Sequence, residues 1–130
     1  SLIVYKHSSK KKIGKYTDVY LVDTYGEAKK FLGLSKVIFT GGSIIPHGGQ
    51  NPLDAVRNNS IVIHGPNIQN FTEIYKFLNK EKISFKFNNL NQALNLVKNK
   101  NSINQNTKLK LNKISTKILA KTKSVLLMYV

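Results

Sequence analysis

The chain has 130 residues, 41% of them hydrophobic, and a formal net charge of +15 at neutral pH, which is the size of one domain with enough apolar content to enclose a core. Cysteine is absent, so a disulfide framework, a thiolate nucleophile and a cysteine-ligated metal centre are excluded, and no apolar run approaches the roughly 20 residues of a membrane-spanning helix. The basic residues are lysines scattered along the whole chain, with arginine only at Arg57; a nucleic-acid module would concentrate arginine forks and interleaved aromatics on one face, so the charge reads as a solvated basic surface that favours an anionic membrane or substrate.

In chain order, Leu2 to Tyr5 is a candidate strand. No basic segment precedes it and no small-residue cleavage site follows it, so it does not read as a signal peptide. A lysine-rich polar loop follows from Lys6 to Tyr16, and Asp18 to Val22 has strand propensity and runs into Asp23-Thr24, either of which can cap a helix over about Gly26 to Leu32. Val37 to Thr40 is a buried-strand candidate that meets Gly41-Gly42-Ser43, where small residues let the backbone turn sharply. Asn51 at an N-cap with Pro52 at the first helical position marks a helix start.

Ser60 to Ile63 is the next strand, ended by Gly65-Pro66, and Phe71, Ile74, Tyr75 and Leu78 share one face of a following helix. Ile83, Phe85 and Phe87 alternate as in a half-exposed strand, and Leu90, Ala93, Leu94 and Val97 return to helical spacing. Residues 98–106 form a polar stretch expected to be a loop or locally disordered, and 107–130 is expected to be a helix with a lysine-rich face. Alternating strands and helices predict an α/β domain over 1–130, a Rossmann-like parallel sheet with flanking helices.

The stretch Thr40 to Ala55, TGGSIIPHGGQNPLDA, gathers two glycine pairs with a serine, a histidine, a glutamine, an asparagine and an aspartate between a strand and a helix. In an open α/β sheet, ligands sit beyond the carboxyl ends of strands, where glycines allow close approach and backbone amides attract an anion. A phosphate or sugar acid suits such a place. Asp54 in the first helical turn can accept hydrogen bonds from vicinal ribose hydroxyls, and Asn51 can hold the loop or touch the ligand. No Gly-Lys-Ser/Thr follows the glycines and no GxGxxG spacing occurs, which disfavours ATP and NAD. His7, His47 and His64 lack metal-ligand spacing, so no metal site is expected, and Ser43 lacks the GxSxG frame of a hydrolase nucleophile. Among Asp18, Asp23 and Glu27, Glu27 is the functional candidate, Asp23 being more simply a cap.

Three segments, DVYLVDTYGE (Asp18 to Glu27), VIFTGGSIIPHGGQNPLDA (Val37 to Ala55) and IVIHGPNIQNFTEI (Ile61 to Ile74), resemble in order and spacing the C-terminal domain of 3-deoxy-D-manno-octulosonic acid transferase, the Kdo transferase of lipopolysaccharide synthesis. The resemblance covers roughly Tyr5 to Val97. It implies part of the C-terminal half of a GT-B glycosyltransferase, in which this half binds CMP-Kdo and an N-terminal half, or a separate chain, receives the lipid A precursor. It implies contacts to the CMP moiety at Tyr25, Gly26 and Glu27 and at Asn51, Pro52, Leu53 and Asp54, with Ser43 and Gly49 as further candidates. The family usually has glutamate where Asp54 stands and histidine where Gln50 stands; the shorter aspartate reaches about one methylene less far, so a ribose contact needs a shifted helix or a bridging water. The family's proton-accepting glutamate and a proline-arginine pair that meets the nucleotide lie outside the matching segments, so no catalytic residue is assigned here.

The expectation is therefore a donor-binding domain, inactive alone, requiring no cofactor, peripheral at the cytoplasmic face of a bacterial inner membrane. Two other readings stand beside it: a non-catalytic α/β binding module, and another GT-B glycosyltransferase using a UDP- or GDP-sugar.

Overall fold

The computed structural model describes residues 1–100, 103, 105–109, 111–113 and 116. Its centre is β4 (Ile61–His64), buried at every position. A parallel strand covered on both faces reads as a continuous apolar run rather than an alternating one, and Ile61-Val62-Ile63 is such a run. It pairs in parallel with β3 (Val37–Phe39), Val37 opposite Ile61, and with β5 (Ser84–Lys86), Ile63 opposite Phe85. A second parallel pair joins β1 (Val4–Lys6) to β2 (Val19–Leu21), Tyr5 opposite Tyr20. All ladders are parallel, as expected, but their hydrogen bonds divide into a two-stranded and a three-stranded sheet.

Between the strands lie α1 (Ala28–Leu32), α2 (Leu53–Arg57), α3 (Thr72–Lys80) and α4 (Leu90–Asn99). The expected cap of the first helix is overturned. α1 starts at Glu27 without a side-chain cap, because the Asp23 carboxylate accepts from Ser8 N–H at 3.0 Å and Ser8 Oγ at 2.7 Å. Hydrogen bonds to a charged acceptor are about twice as strong as neutral ones, and this pair pins a short 3-10 turn, His7–Ser9, against the end of β2. At α2 the expectation holds in substance. Asn51 Oδ1 accepts from Leu53 N–H at 3.0 Å, so the side chain quiets a helix-start amide from just outside the helix. Asn89 does likewise for α4, accepting from Gln92 N–H while Gln92 Oε1 accepts from Asn88 N–H, a reciprocal box of the kind that fixes helix starts.

The core forms on both sides of β4. Ile61, Leu78, Ile83 and Ile103 make one cluster, and Ala55, Val62 and Tyr75 another. Ile103 lies within 98–106, the polar stretch expected as a loop or locally disordered, and is itself in no helix or strand. α4 runs through Asn99, and Ile103 is buried with its N–H bonded to Asn59 O at 3.2 Å. One apolar residue in a polar stretch anchors the segment, a contact that periodicity has no means to show. Residues 105–109 and 111–113 are helical and Leu111 touches the core; the rest of the expected C-terminal helix, 117–130, lies outside the described residues. The apolar stripe of α4 is open instead of packed, with Leu90 72% exposed and Leu94 and Val97 about half exposed.

His64 is the buried titratable side chain of β4, 1% exposed. Its Nδ1–H donates to Gly65 O at 2.7 Å and its ring lies 4.4 Å from that of Tyr75. Burial pushes its pKa below the ordinary 6.5, more than the Gly65 carbonyl and Asn79 raise it. The unfolded chain therefore binds a proton that the folded chain refuses, and stability falls as pH drops below about 6.5. Equilibrium urea unfolding should show lower stability at pH 5 than at pH 7, and His64→Phe should flatten that slope. Leu78→Ala should cost about 2–5 kcal/mol, whereas Leu90→Ala should stay within about 0.5 kcal/mol by the same assay.

Candidate functional site

At the carboxyl end of β3 the chain leaves the sheet through Thr40. Its N–H donates to Ile63 O at 3.1 Å, and its Oγ1 lies 2.8 Å from Tyr75 OH, which donates to Gln50 O at 3.0 Å. A buried chain of hydroxyls thus ties the strand end to α3 and to the residue before Asn51. Burial raises the Tyr75 pKa and keeps the phenol neutral.

The loop between these points is folded onto the turn after β4. Ser43 is fully buried, donating to Thr40 O at 2.6 Å and accepting from Gly65 N–H at 3.0 Å. Its carbonyl accepts from Asn67 N–H at 2.9 Å, and Gly48 O accepts from Asn70 N–H at 3.2 Å. Such close approach explains two of the glycines. A Cβ on Gly65 would meet the Ser43 carbonyl, and one on Gly48, whose φ is +90, would meet the Asn70 side chain. Gly42 O accepts from Gly49 N–H at 3.1 Å and closes the loop, leaving Ile44, Ile45, Pro46 and His47 exposed at its tip.

The expected contact residues fall into groups with different surroundings. Tyr25 is fully exposed, Gly26 has a left-handed φ of +83, and Glu27 is partly buried. The Glu27 carboxylate pairs with Lys30 at 2.7 Å; that hydrogen bond holds its pKa below the ordinary carboxylate value, so it is an acceptor at neutral pH. Asn51 is exposed, Pro52 buried, and Leu53 and Asp54 intermediate. The Asp54 carboxylate lies 3.3 Å from Arg57 and 3.5 Å from Lys29 on α1. That last pair joins α1 to the opening turn of α2. Ser43 and Gly49 are both buried, and the Ser43 hydroxyl has its donor and one acceptor position engaged by backbone, so it braces the loop.

Beside the corner after β2 is an open surface depression of about 630 Å³ lined by His7, Ser8, Lys10, Lys11, Lys12, Ile13, Tyr20 and Thr24. The hint for it was the lysine run two residues after the serine that Asp23 holds. Among the described residues no cluster of three or more histidine and carboxylate side chains is placed to hold a metal ion.

Comparison with known proteins places this geometry in a family. No protein-family profile matches the chain, but it is 42% identical over 62 residues to a 3-deoxy-D-manno-octulosonic acid transferase of Haemophilus influenzae, covering 48% of this chain and 14% of that protein. It is 33% identical over 94 residues to the enzyme of the same name from Rickettsia typhi, covering 72% of this chain and 20% of that one. Its relatives are Kdo transferases. The crystal structure of the C-terminal CMP-Kdo binding domain of WaaA from Acinetobacter baumannii superposes with a TM-score of 0.71 and 28% identity, over 96% of this chain and 61% of that one. The chain therefore spans a fifth or less of the Kdo transferases it matches in sequence, and its fold is that of their C-terminal domain.

Removing the Ser43 hydroxyl leaves Gly65 N–H buried without a partner, a cost of about 1–3 kcal/mol. Ser43→Ala should lose that much stability in urea titration, and Ser43→Thr, which keeps the hydroxyl but adds a methyl to a filled site, should recover only part of it.

Proposed function

We propose that this chain is the donor-binding domain of a Kdo transferase, holding CMP-Kdo while the rest of the enzyme, in the same or another chain, presents a lipid A precursor at the cytoplasmic face of the inner membrane. The observation that carries the proposal is the likeness in fold and sequence to a solved CMP-Kdo binding domain; the Lys29–Asp54 contact, which joins the helix following the Tyr25–Gly26–Glu27 corner to the first turn of α2, supports it.

In this reading the ribose hydroxyls reach the Asp54 carboxylate, which also pairs with Lys29 and Arg57, through a bridging water that makes up for the missing methylene. Asn51 and the backbone around Pro52 and Leu53 line the same edge. Tyr25 and Gly26 cover the nucleotide from the α1 side, with Glu27 as a second carboxylate acceptor. Ser43 and Gly49 shape the loop from within. Transfer of the sugar needs a base to take the proton of the acceptor hydroxyl and groups that stabilise the departing phosphate. This domain supplies the second requirement through backbone amides and nearby lysines, and the base comes from the acceptor-binding half, so the chain alone binds the donor without turning it over.

Isothermal titration with CMP tests the reading. Binding is expected, with Asn51→Ala and Asp54→Ala each weakening it about tenfold, equivalent to roughly 1.4 kcal/mol. Silence at millimolar CMP would instead indicate a non-catalytic α/β module, and tighter binding of UDP or GDP would indicate a different GT-B donor.

A further inference from the structure

We propose that the lysine-rich loop after the first strand, together with the open depression beside it, is a docking site for the head group of an anionic phospholipid. Lys10, Lys11, Lys12 and Lys15 are all exposed, and none of them forms an ion pair among the described residues, whose salt bridges involve Lys29, Lys30, Arg57 and Lys76. The two nearest acidic residues in sequence, Asp18 and Asp23, accept hydrogen bonds from Ile3 N–H at 2.8 Å and from Ser8 and pair with none of these lysines. The loop thus carries an excess of positive charge.

The loop is also held in place. His7 Nδ1 lies 3.0 Å from Tyr20 OH and its ring packs edge-on against Phe31 at 5.2 Å, while Gly14 and Thr17 close a tight turn through Gly14 N–H to Thr17 Oγ1 at 3.0 Å. Lys10, Lys11 and Lys12 line one side of the open surface depression beside it. The Thr24 hydroxyl, on the same lining, is buried without a hydrogen-bond partner. A buried hydroxyl with nothing to bond to is costly unless something fills the site, and a phosphate oxygen beside three ammonium groups is a fitting acceptor.

The surroundings choose a lipid over other phosphates. Ile13, lining the depression, is 57% exposed, and Tyr16 is 75% exposed with Lys15 Nζ 6.0 Å from its ring centre. Apolar and aromatic side chains between lysines gain from insertion at the head-group boundary, and the cations gain from a negative surface potential. Nucleic acid offers nothing to Ile13, and the loop lacks arginine.

This inference rests on the membrane-peripheral part of the proposed function and is independent of donor binding. Sedimentation of the full chain with phosphatidylcholine vesicles, with and without phosphatidylglycerol, reads it directly. Binding is expected only with phosphatidylglycerol, and the combined substitution K10Q, K11Q, K12Q and K15Q should weaken it about tenfold or more. The control K36Q, K80Q, K98Q and K108Q makes the same charge change elsewhere and should stay within about twofold; Thr24→Val should weaken binding without changing net charge. Equal losses in both quadruple variants would overturn the site in favour of diffuse attraction, and so would wild-type binding that survives the loop variant. No binding of wild type to phosphatidylglycerol vesicles, or capture of single-stranded RNA in their place, would overturn both this site and the peripheral placement while leaving the CMP titration to stand or fall by itself.

Discussion

A single buried hydroxyl holds the functional edge of this domain together. Ser43 donates to Thr40 at the end of β3 and accepts from Gly65 at the end of β4, so the loops leaving two neighbouring parallel strands are locked to each other where a ligand would approach. Parallel strands share hydrogen bonds along their length, but the loops beyond them do not, and without a bridge they would splay. The bridge demands close backbone approach, hence glycine at 65. Because the Ser43 carbonyl also accepts from Asn67, the loop tip has a defined position relative to the start of α3. The Thr40–Tyr75–Gln50 hydroxyl chain extends the same logic to the residue before α2.

With the β3–β4 edge fixed, the remaining part of the site is set by charge. Lys29 reaches across from α1 to Asp54, an exposed pair that contributes little to stability but aligns two segments far apart in sequence. Weak surface pairing suits a place that must exchange partners, since a ligand hydroxyl can displace a lysine from a carboxylate without exposing a buried charge. On the far side of the same corner, the Asp23–Ser8 bonds carry the basic loop. The proposed donor site and the proposed lipid contact thus share one segment, Asp23 to Glu27.

Much of this was legible in the residues because local chemistry and fold agree. Ile61–Ile63 is a β-branched run of the kind a doubly covered strand accommodates, whereas Val37–Phe39, expected to be buried, is only partly covered with Phe39 45% exposed, and Tyr75 and Leu78 lie on the helix face that the spacing assigns to the core. The TGGS…NPLDA string leaves the sheet at the carboxyl end of β3 and runs into the start of α2, as its glycines and asparagine imply. The failures have a common cause in partners distant along the chain. Asp23 has the chemistry of a cap, yet Ser8, fifteen residues earlier, captures it. Ile103 sits in a polar stretch, and only the core surface around Ile61 and Ile83 explains its burial. α4 shows the converse: its stripe has helical spacing, but periodicity alone does not say what covers it.

In the proposed site the amides following Tyr25 and those opening α2 face one ligand. Amide chemical-shift mapping of the isotopically labelled chain during addition of CMP tests it most directly. The account predicts concerted shifts at Gly26, Glu27, Leu53 and Asp54 that saturate with one dissociation constant. Shifts confined to one of the two segments, or following two separate curves, would contradict it.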